Sequence, residues 1–213
     1  SRYGSPIYAE HQPLADAACV ALTRAAGGLV MGKTHTTEFA NIHPTITVNP
    51  HRAGHTPGWS SSGSAAAVDD FQVPLAFATQ TAGSTIRPAA FCGVVGYKPS
   101  FNRINRAGLK FSAESLDTIG LLARHVEDVS LWAQVLIGQA AAALPTAPLR
   151  VGLHRTALWG QASDSAQQAL LDAAQRLKAA GASVSDVTLD GDFTILYEAQ
   201  GVVMRYEAAR ATA

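Results

Sequence analysis

The sequence predicts an α/β fold, with helices layered against a mostly parallel or mixed sheet. Three observations carry that prediction. Apolar runs of strand length alternate along the chain with segments of helical period, the pattern that builds α/β layers. Residues 149–189 read as a β-α-β unit, a capped helix between two strands. The composition is 47% hydrophobic and only 15% charged, so the 213 residues have much to bury and enough length for a substantial core.

Residues 13–26 read as a helix, with Leu14, Val20 and Leu22 apolar and Gly27 as its stop. Leu29, Val30 and Met31 follow as a short buried strand with Lys33 at its end, where α/β sheets commonly place functional groups. A polar loop rich in Pro and His covers 41–58. A helix begins near Ser64, behind a tight turn that Gly63 permits. Residues 75–79, bounded by Pro74, form a buried strand. The small-residue loop Thr81, Ala82, Gly83 and Ser84 leads into Ile86, Arg87 and Pro88, where proline suits a first helical turn. Strands are predicted at 94–98 and 118–123, with a loop over 99–115 between them. Val129, Trp132, Ala133 and Leu136 fall at i, i+3, i+4 and i+7 of an amphipathic helix over 126–137. After an Ala/Pro-rich connector come a strand at 149–153 and a helix capped by Ser163 or Asp164. That helix carries Ala166, Leu170, Ala173, Ala174 and Leu177 on one face and stops at Gly181. A strand at 184–189 and a helix over 193–209 complete the chain.

Charge and cysteine usage narrow the function. A formal net charge of zero gives no electrostatic reason to expect nucleic acid or acidic lipid as a partner. No apolar run approaches the roughly 20 residues needed to span a bilayer, and the first residues lack a signal pattern. Cys19 and Cys92 have no metal-type spacing, so the reducing cytoplasm is the expected location. No metal and no cofactor are expected. Residues 27–34 do satisfy the phosphate-loop pattern G-x-x-x-x-G-K-S/T, but they follow a helix where that loop should follow a strand. His35, His43, His51 and His55 lie in a meandering loop with Pro44, Pro50 and Pro57, which argues for contacts with solvent or backbone over ligation.

Two clusters of small hydroxyl and glycine residues carry the chemistry, at 60–64 and 79–85. Such clusters can be flexible linkers, but the apolar segments between and after them argue otherwise. A serine at the tip of a small-residue loop is flanked by uncovered backbone N–H groups, which suits a nucleophile beside an oxyanion site. The blocks GWSSSGSAAAV (58–68), TQTAGSTIRPA (79–89) and GVVGYKPS (93–100) resemble the amidase signature family. The likeness extends to GKTHTTEFA at 32–40 and DTIGLLAR at 117–124.

The resemblance implies a layered α/β/α fold with a mixed central sheet, incomplete in this chain. Residues 1–213 are then one amidase signature domain lacking N-terminal and C-terminal portions. It implies hydrolysis of a carboxamide C–N bond on a small-molecule substrate, through an acyl-enzyme on Ser84. Ser60 becomes the bridging serine, following a cis peptide at Trp59–Ser60, and Lys33 the base. Thr81, Ala82, Gly83 and Ser84 supply the oxyanion hole. A lysine base must be neutral, which near pH 7 needs its pKa lowered by about 3 units, roughly 4 kcal/mol, and burial does this. The alternatives are the amide-transferring A subunit of a tRNA-dependent amidotransferase and a catalytically inactive amidase-like fragment. A sheet lacking strands exposes edges, so self-association into a homo-oligomer is expected.

Some positions depart from the family's pattern. Gln80 stands where many relatives carry an acid, so it can hydrogen bond to Arg87 but cannot form an ion pair. Trp59 replaces a small residue and can occupy leaving-group space. Ala78 replaces a glycine, and Asp69 beside Asp70 reads as a solvated helix end.

Overall fold

The run Thr-Ile-Gly-Leu-Leu-Ala is apolar on both faces, and it forms the strand on which the first half of the chain is assembled. The computed structural model describes residues 1–143, 145–189, 191 and 193–212. It divides into two units, residues 1–141 with 202–213, and residues 142–201. In the first unit β1 (Leu75–Gln80) and β2 (Val95–Tyr97) flank β3 (Thr118–Ala123), and both pairings are antiparallel. Leu75 and Val95 both stand opposite Ala123, and Gln80 stands opposite Thr118. All six residues of β3 are buried.

Alternation along β3 sorts its side chains into two cores. Ile119, Leu121 and Ala123 pack with Cys19 of α1 (Ala18–Ala25) and with Val129, Trp132 and Leu136 of α4 (Val126–Ile137). Phe77 of β1 joins them, its ring centroid 4.3 Å from that of Trp132. On the other face Leu122, Ala76 and Ala78 meet Ala65 and Val68 of α2 (Ser62–Asp69) and Ala89 of α3 (Ile86–Phe91). The sheet is therefore covered on both sides, as the predicted α/β/α layering requires.

α4 has the bounds its period predicts, with Glu127 and Asp128 in the first turn and Gly138 in the left-handed region at its end. Trp132 Nε1 donates to Thr23 Oγ1 at 3.0 Å, which ties α4 to α1. Arg124, just past β3, donates to the carbonyls of Val68 and Val73 and so closes the C-terminal end of α2.

Gly120 is required by packing. A Cβ there would lie 2.2 Å from Thr85 Oγ1 and 2.6 Å from its Cγ2, and Thr85 is fully buried. Gly120→Ala is expected to destabilise the protein by about 2 kcal/mol or more through overpacking. Urea unfolding of the two proteins measures it, and an unchanged midpoint would contradict this packing.

Two predicted elements differ. The helix expected over 13–26 begins only at Ala18, after the extended Ala17; Leu14 is fully exposed and Asp16 pairs with Arg24 at 2.8 Å. Leu29, Val30 and Met31 form no strand and are exposed. A strand is stable only beside a partner, and among the described residues none pairs with this segment.

The second unit contains the predicted β-α-β arrangement. β4 (Arg150–Leu153) and β5 (Ser183–Asp186) run parallel, joined through α5 (Asp164–Ala179). Ser163 is the cap, its Oγ accepting from the Ala166 N–H at 3.3 Å. The packed side of α5 is rotated from the predicted face: Gln167, Leu171 and Ala174 are half-buried, whereas Leu170 and Leu177 are exposed. α6 (Ile195–Thr212) begins in this unit, and from Val202 it belongs to the first. There Glu207 accepts from the N–H and hydroxyl of Ser115 at 2.9 and 2.7 Å. Strand directions are thus mixed, antiparallel in one sheet and parallel in the other. Among the described residues no helix is long and apolar enough to cross a membrane.

Candidate active site

The first serine cluster folds into a buried turn that opens α2. Ser60, Ser61, Ser62 and Ser64 are all buried. Gly58 at φ 103° and Trp59 at φ 76° bend the chain into it. A Cβ on Gly58 would lie 2.5 Å from Pro88 Cα, so only glycine lets this turn approach α3 so closely. Arg87 holds the approach from the other side. Its Nε donates to the Gly58 carbonyl at 3.2 Å, and its guanidinium lies 4.3 Å from the centroid of the Trp59 ring. Partial burial draws the Arg87 pKa below its ordinary value.

The expected cis bond is not found. The Trp59–Ser60 peptide is trans, as are the other peptides among the described residues, and the chain turns through the left-handed conformations of Gly58 and Trp59 instead.

The segment after Lys33 is stitched to the same turn. Thr34 Oγ1 and Ser64 Oγ are 2.8 Å apart, and Gly63 N–H donates to the His35 carbonyl at 3.0 Å. Thr36 Oγ1 and the Thr37 N–H both donate to the Ser60 carbonyl, at 2.8 and 3.3 Å. A Cβ on Gly63 would sit 2.5 Å from the His35 carbonyl oxygen, so glycine is needed for this contact. Lys33 stands one residue before the first stitch, with its side chain exposed. The sequence expectation of a buried lysine at the end of a strand is thereby corrected, since the strand does not form.

The second cluster is a loop fixed at both ends. Thr81 Oγ1 donates to Asp117 Oδ1, and Asp117 Oδ2 accepts from the N–H groups of Ser112 and Ala113 at 2.6 and 3.0 Å. The Gln80 side chain is buried beneath the loop. Its Oε1 accepts from Thr85 and Ile86 N–H at 3.0 and 3.1 Å, while its Nε2 donates to the Ala82 carbonyl at 2.8 Å. Gln80 therefore bonds backbone, and the Arg87 contact open to it from the sequence is not made. Among the described residues nothing accepts from the N–H groups of Ala82, Gly83 or Ser84. Gly83 leaves them room, for a Cβ on it would meet nothing nearer than Arg87 at 3.9 Å.

Ser84 is half-buried at the end of this loop, and Ser60 is almost fully buried. Ser60 Oγ has no hydrogen-bond partner among the described residues, so neither Lys33 nor Ser84 bonds to it here. The backbone brings the two serine turns together through Gly58, Arg87 and Pro88; the side-chain relay is not closed.

The Amidase family model matches residues 1–193. The chain belongs to the amidase family. The A subunit of glutamyl-tRNA(Gln) amidotransferase from Thermus thermophilus is 38% identical over 206 residues, covering 87% of this chain and 44% of that protein. Its counterpart from Lysinibacillus sphaericus is 37% identical over 207 residues, covering 87% and 42%. A solved amidase superposes with a TM-score of 0.85 at 32% identity, over 94% of this chain and 47% of that one. The 6-aminohexanoate cyclic dimer hydrolase solved with its substrate gives 0.84 at 29% identity, over 98% and 49%. This chain spans less than half the length of the curated relatives it matches.

Three features around the candidate site were missed by sequence reasoning. The anchor Asp117 was visible only as part of a motif, and the bonds made by Gln80 depend on the loop's conformation. Asp69 was expected at a solvated helix end, but its side chain is largely buried and faces His51, whose Nε2 is 3.3 Å from Oδ2. His51 Nε2 also lies 3.0 Å from the Cys92 carbonyl, so the pair links the ends of α2 and α3. A histidine partner offsets the cost of burying that carboxylate. Among the described residues, a cleft of about 400 Å³ lies against α5 and β5, and one of about 280 Å³ borders the first serine turn at Thr37, Pro57 and Ser62; neither is lined by Lys33, Ser60 or Ser84.

Proposed function

We propose that this chain carries the reacting groups of an amidase acting on a small-molecule carboxamide. Ser84 Oγ attacks the carbonyl carbon and passes its proton through Ser60 to Lys33. The amine or ammonia leaves with a proton, and water then hydrolyses the ester on Ser84. N–H groups of the 81–84 loop stabilise the oxyanion. The observation that carries this reading is the contrast at that loop: Thr85 and Ile86 N–H are engaged, whereas those of Ala82, Gly83 and Ser84 have no acceptor among the described residues. One preorganised donor of this kind is worth about 3–4 kcal/mol in the transition state. An aryl sulfonyl fluoride tests the reading, because it should sulfonylate Ser84 and no other serine, as peptide mass spectrometry will show. An unlabelled Ser84 would favour the inactive amidase-like fragment.

A second reading has its own support in the name borne by the Thermus and Lysinibacillus relatives, each the A subunit of an amidotransferase. In that role the ammonia released at Ser84 passes to a different polypeptide of the complex. Release of free ammonia from a simple amide by this chain alone separates the two readings. We read residues 1–213 as part of one amidase signature domain, able to self-associate through its exposed apolar side chains. The cytoplasm is the compartment we assign, in keeping with two free, buried cysteines, Cys19 and Cys92. The reading calls for no metal, cofactor, nucleic acid or membrane.

A further inference from the structure

We infer that Arg87 receives a carboxylate of the substrate, so that the amide this site prefers is the half-amide of a short dicarboxylic acid; this rests on the amidase reading above. Arg87 is a half-buried cation whose charge nothing nearby cancels. Among the described residues its guanidinium pairs with no carboxylate. Gln80, open to it from the sequence, spends its carboxamide on the backbone of Ala82, Thr85 and Ile86 instead. No neighbouring charge offsets the burial that draws the Arg87 pKa down. A partly desolvated charge without a counter-ion is costly, and an anionic ligand relieves that cost.

The guanidinium is also held in one orientation. Its Nε donates to the Gly58 carbonyl at 3.2 Å, and the Trp59 ring covers one face with its centroid 4.3 Å from Cζ. Trp59 is itself exposed, so its ring walls the guanidinium at the surface and does not bury it in a core. With Nε engaged, the edge formed by Nη1 and Nη2 has no acceptor among the described residues. That edge is a fork that takes a carboxylate through two parallel N–H bonds. It also stands beside the reacting loop, for Cζ and Nη1 would lie 3.9 and 4.0 Å from a Cβ on Gly83, the residue before Ser84. The oxyanion donors belong to the same loop, so a short spacer joins the reacting carbonyl to an anion on the fork. A neutral amide leaves the fork empty.

The test is protection of Ser84 from phenylmethanesulfonyl fluoride by succinamate and glutaramate, each set against its neutral diamide, succinamide and glutaramide. Each pair shares one carbon skeleton and differs only in a carboxylate for a carboxamide. At least one half-amide is expected to protect wild type at about 10- to 100-fold lower concentration than its diamide, the share of a charge-assisted bidentate contact. In Arg87→Gln the two members of the pair should protect equally. Phenylglyoxal, which modifies arginine, gives a second readout on wild type and covers the case in which the variant does not fold. The same half-amide should shield Arg87 from it, as peptide mass spectrometry will show, and the diamide should not. Ser84 labelled but protected no better by either half-amide overturns the anion site and leaves the amidase reading standing. A preference that survives in folded Arg87→Gln, or an Arg87 left unshielded, overturns the assignment to Arg87. An unlabelled Ser84 overturns the amidase reading and this inference with it.

Discussion

Replacing Ser84 by alanine is expected to remove turnover, by a factor on the order of 10⁶, while the fold stays intact. The size follows from the role. A serine nucleophile forms the covalent intermediate, and without it only loop donors and substrate binding remain to assist attack by water. Stability changes little, because Ser84 is half-buried at a loop end and its hydroxyl takes part in none of the bonds that fix the loop. Those bonds come from Gln80, Thr81 and Asp117. The measurement is hydrolysis of a simple aryl amide alongside a urea unfolding curve. Substantial hydrolysis by a folded Ser84→Ala would transfer the nucleophile's role to another residue, whatever Ser60 does.

How much of this was legible depended on how local the determinants were. The limits of α4 and the start of α5 rest on side chains within one helical turn, so the first could be read directly and the second was narrowed to a cap at Ser163 or Asp164, of which Ser163 is the cap. β3 was legible because its six residues are apolar on both faces. The strand expected at Leu29, Val30 and Met31 was not, since an apolar triplet becomes a strand only if another strand lies beside it. Asp69 was misplaced for a similar reason: its partner, His51, comes from a distant loop. In the candidate site the residue types were readable from the two clusters, but the conformation was not. Gln80 reaches only two, five and six residues along the chain, yet those bonds exist only once residues 81–84 have folded over it. The trans peptide before Ser60 likewise follows from how Gly58 and Trp59 turn, which no residue type dictates.

Lys33→Arg is expected to be as inactive as Lys33→Ala, each slower than wild type by about 10²–10⁴-fold, the usual contribution of a general base. Arginine keeps the charge, the length and most of the hydrogen-bonding capacity, so a lysine that serves only as a cation would tolerate the change. A base would not, because guanidinium keeps its proton at any working pH. The surroundings allow the comparison. Lys33 is exposed, so neither substitution leaves a buried charge or a cavity. The next residues, Thr34 to Thr37, are bonded to the Ser60–Ser64 turn through their own hydroxyls and backbone, and these bonds survive in both variants. Among the described residues Ser60 Oγ is buried without a partner, which carries a cost of about 1–3 kcal/mol, so an arriving lysine amine relieves a penalty as well as forming the relay. The rates of the three proteins on one aryl amide decide the point: an arginine variant that keeps much of the wild-type rate removes Lys33 as the base.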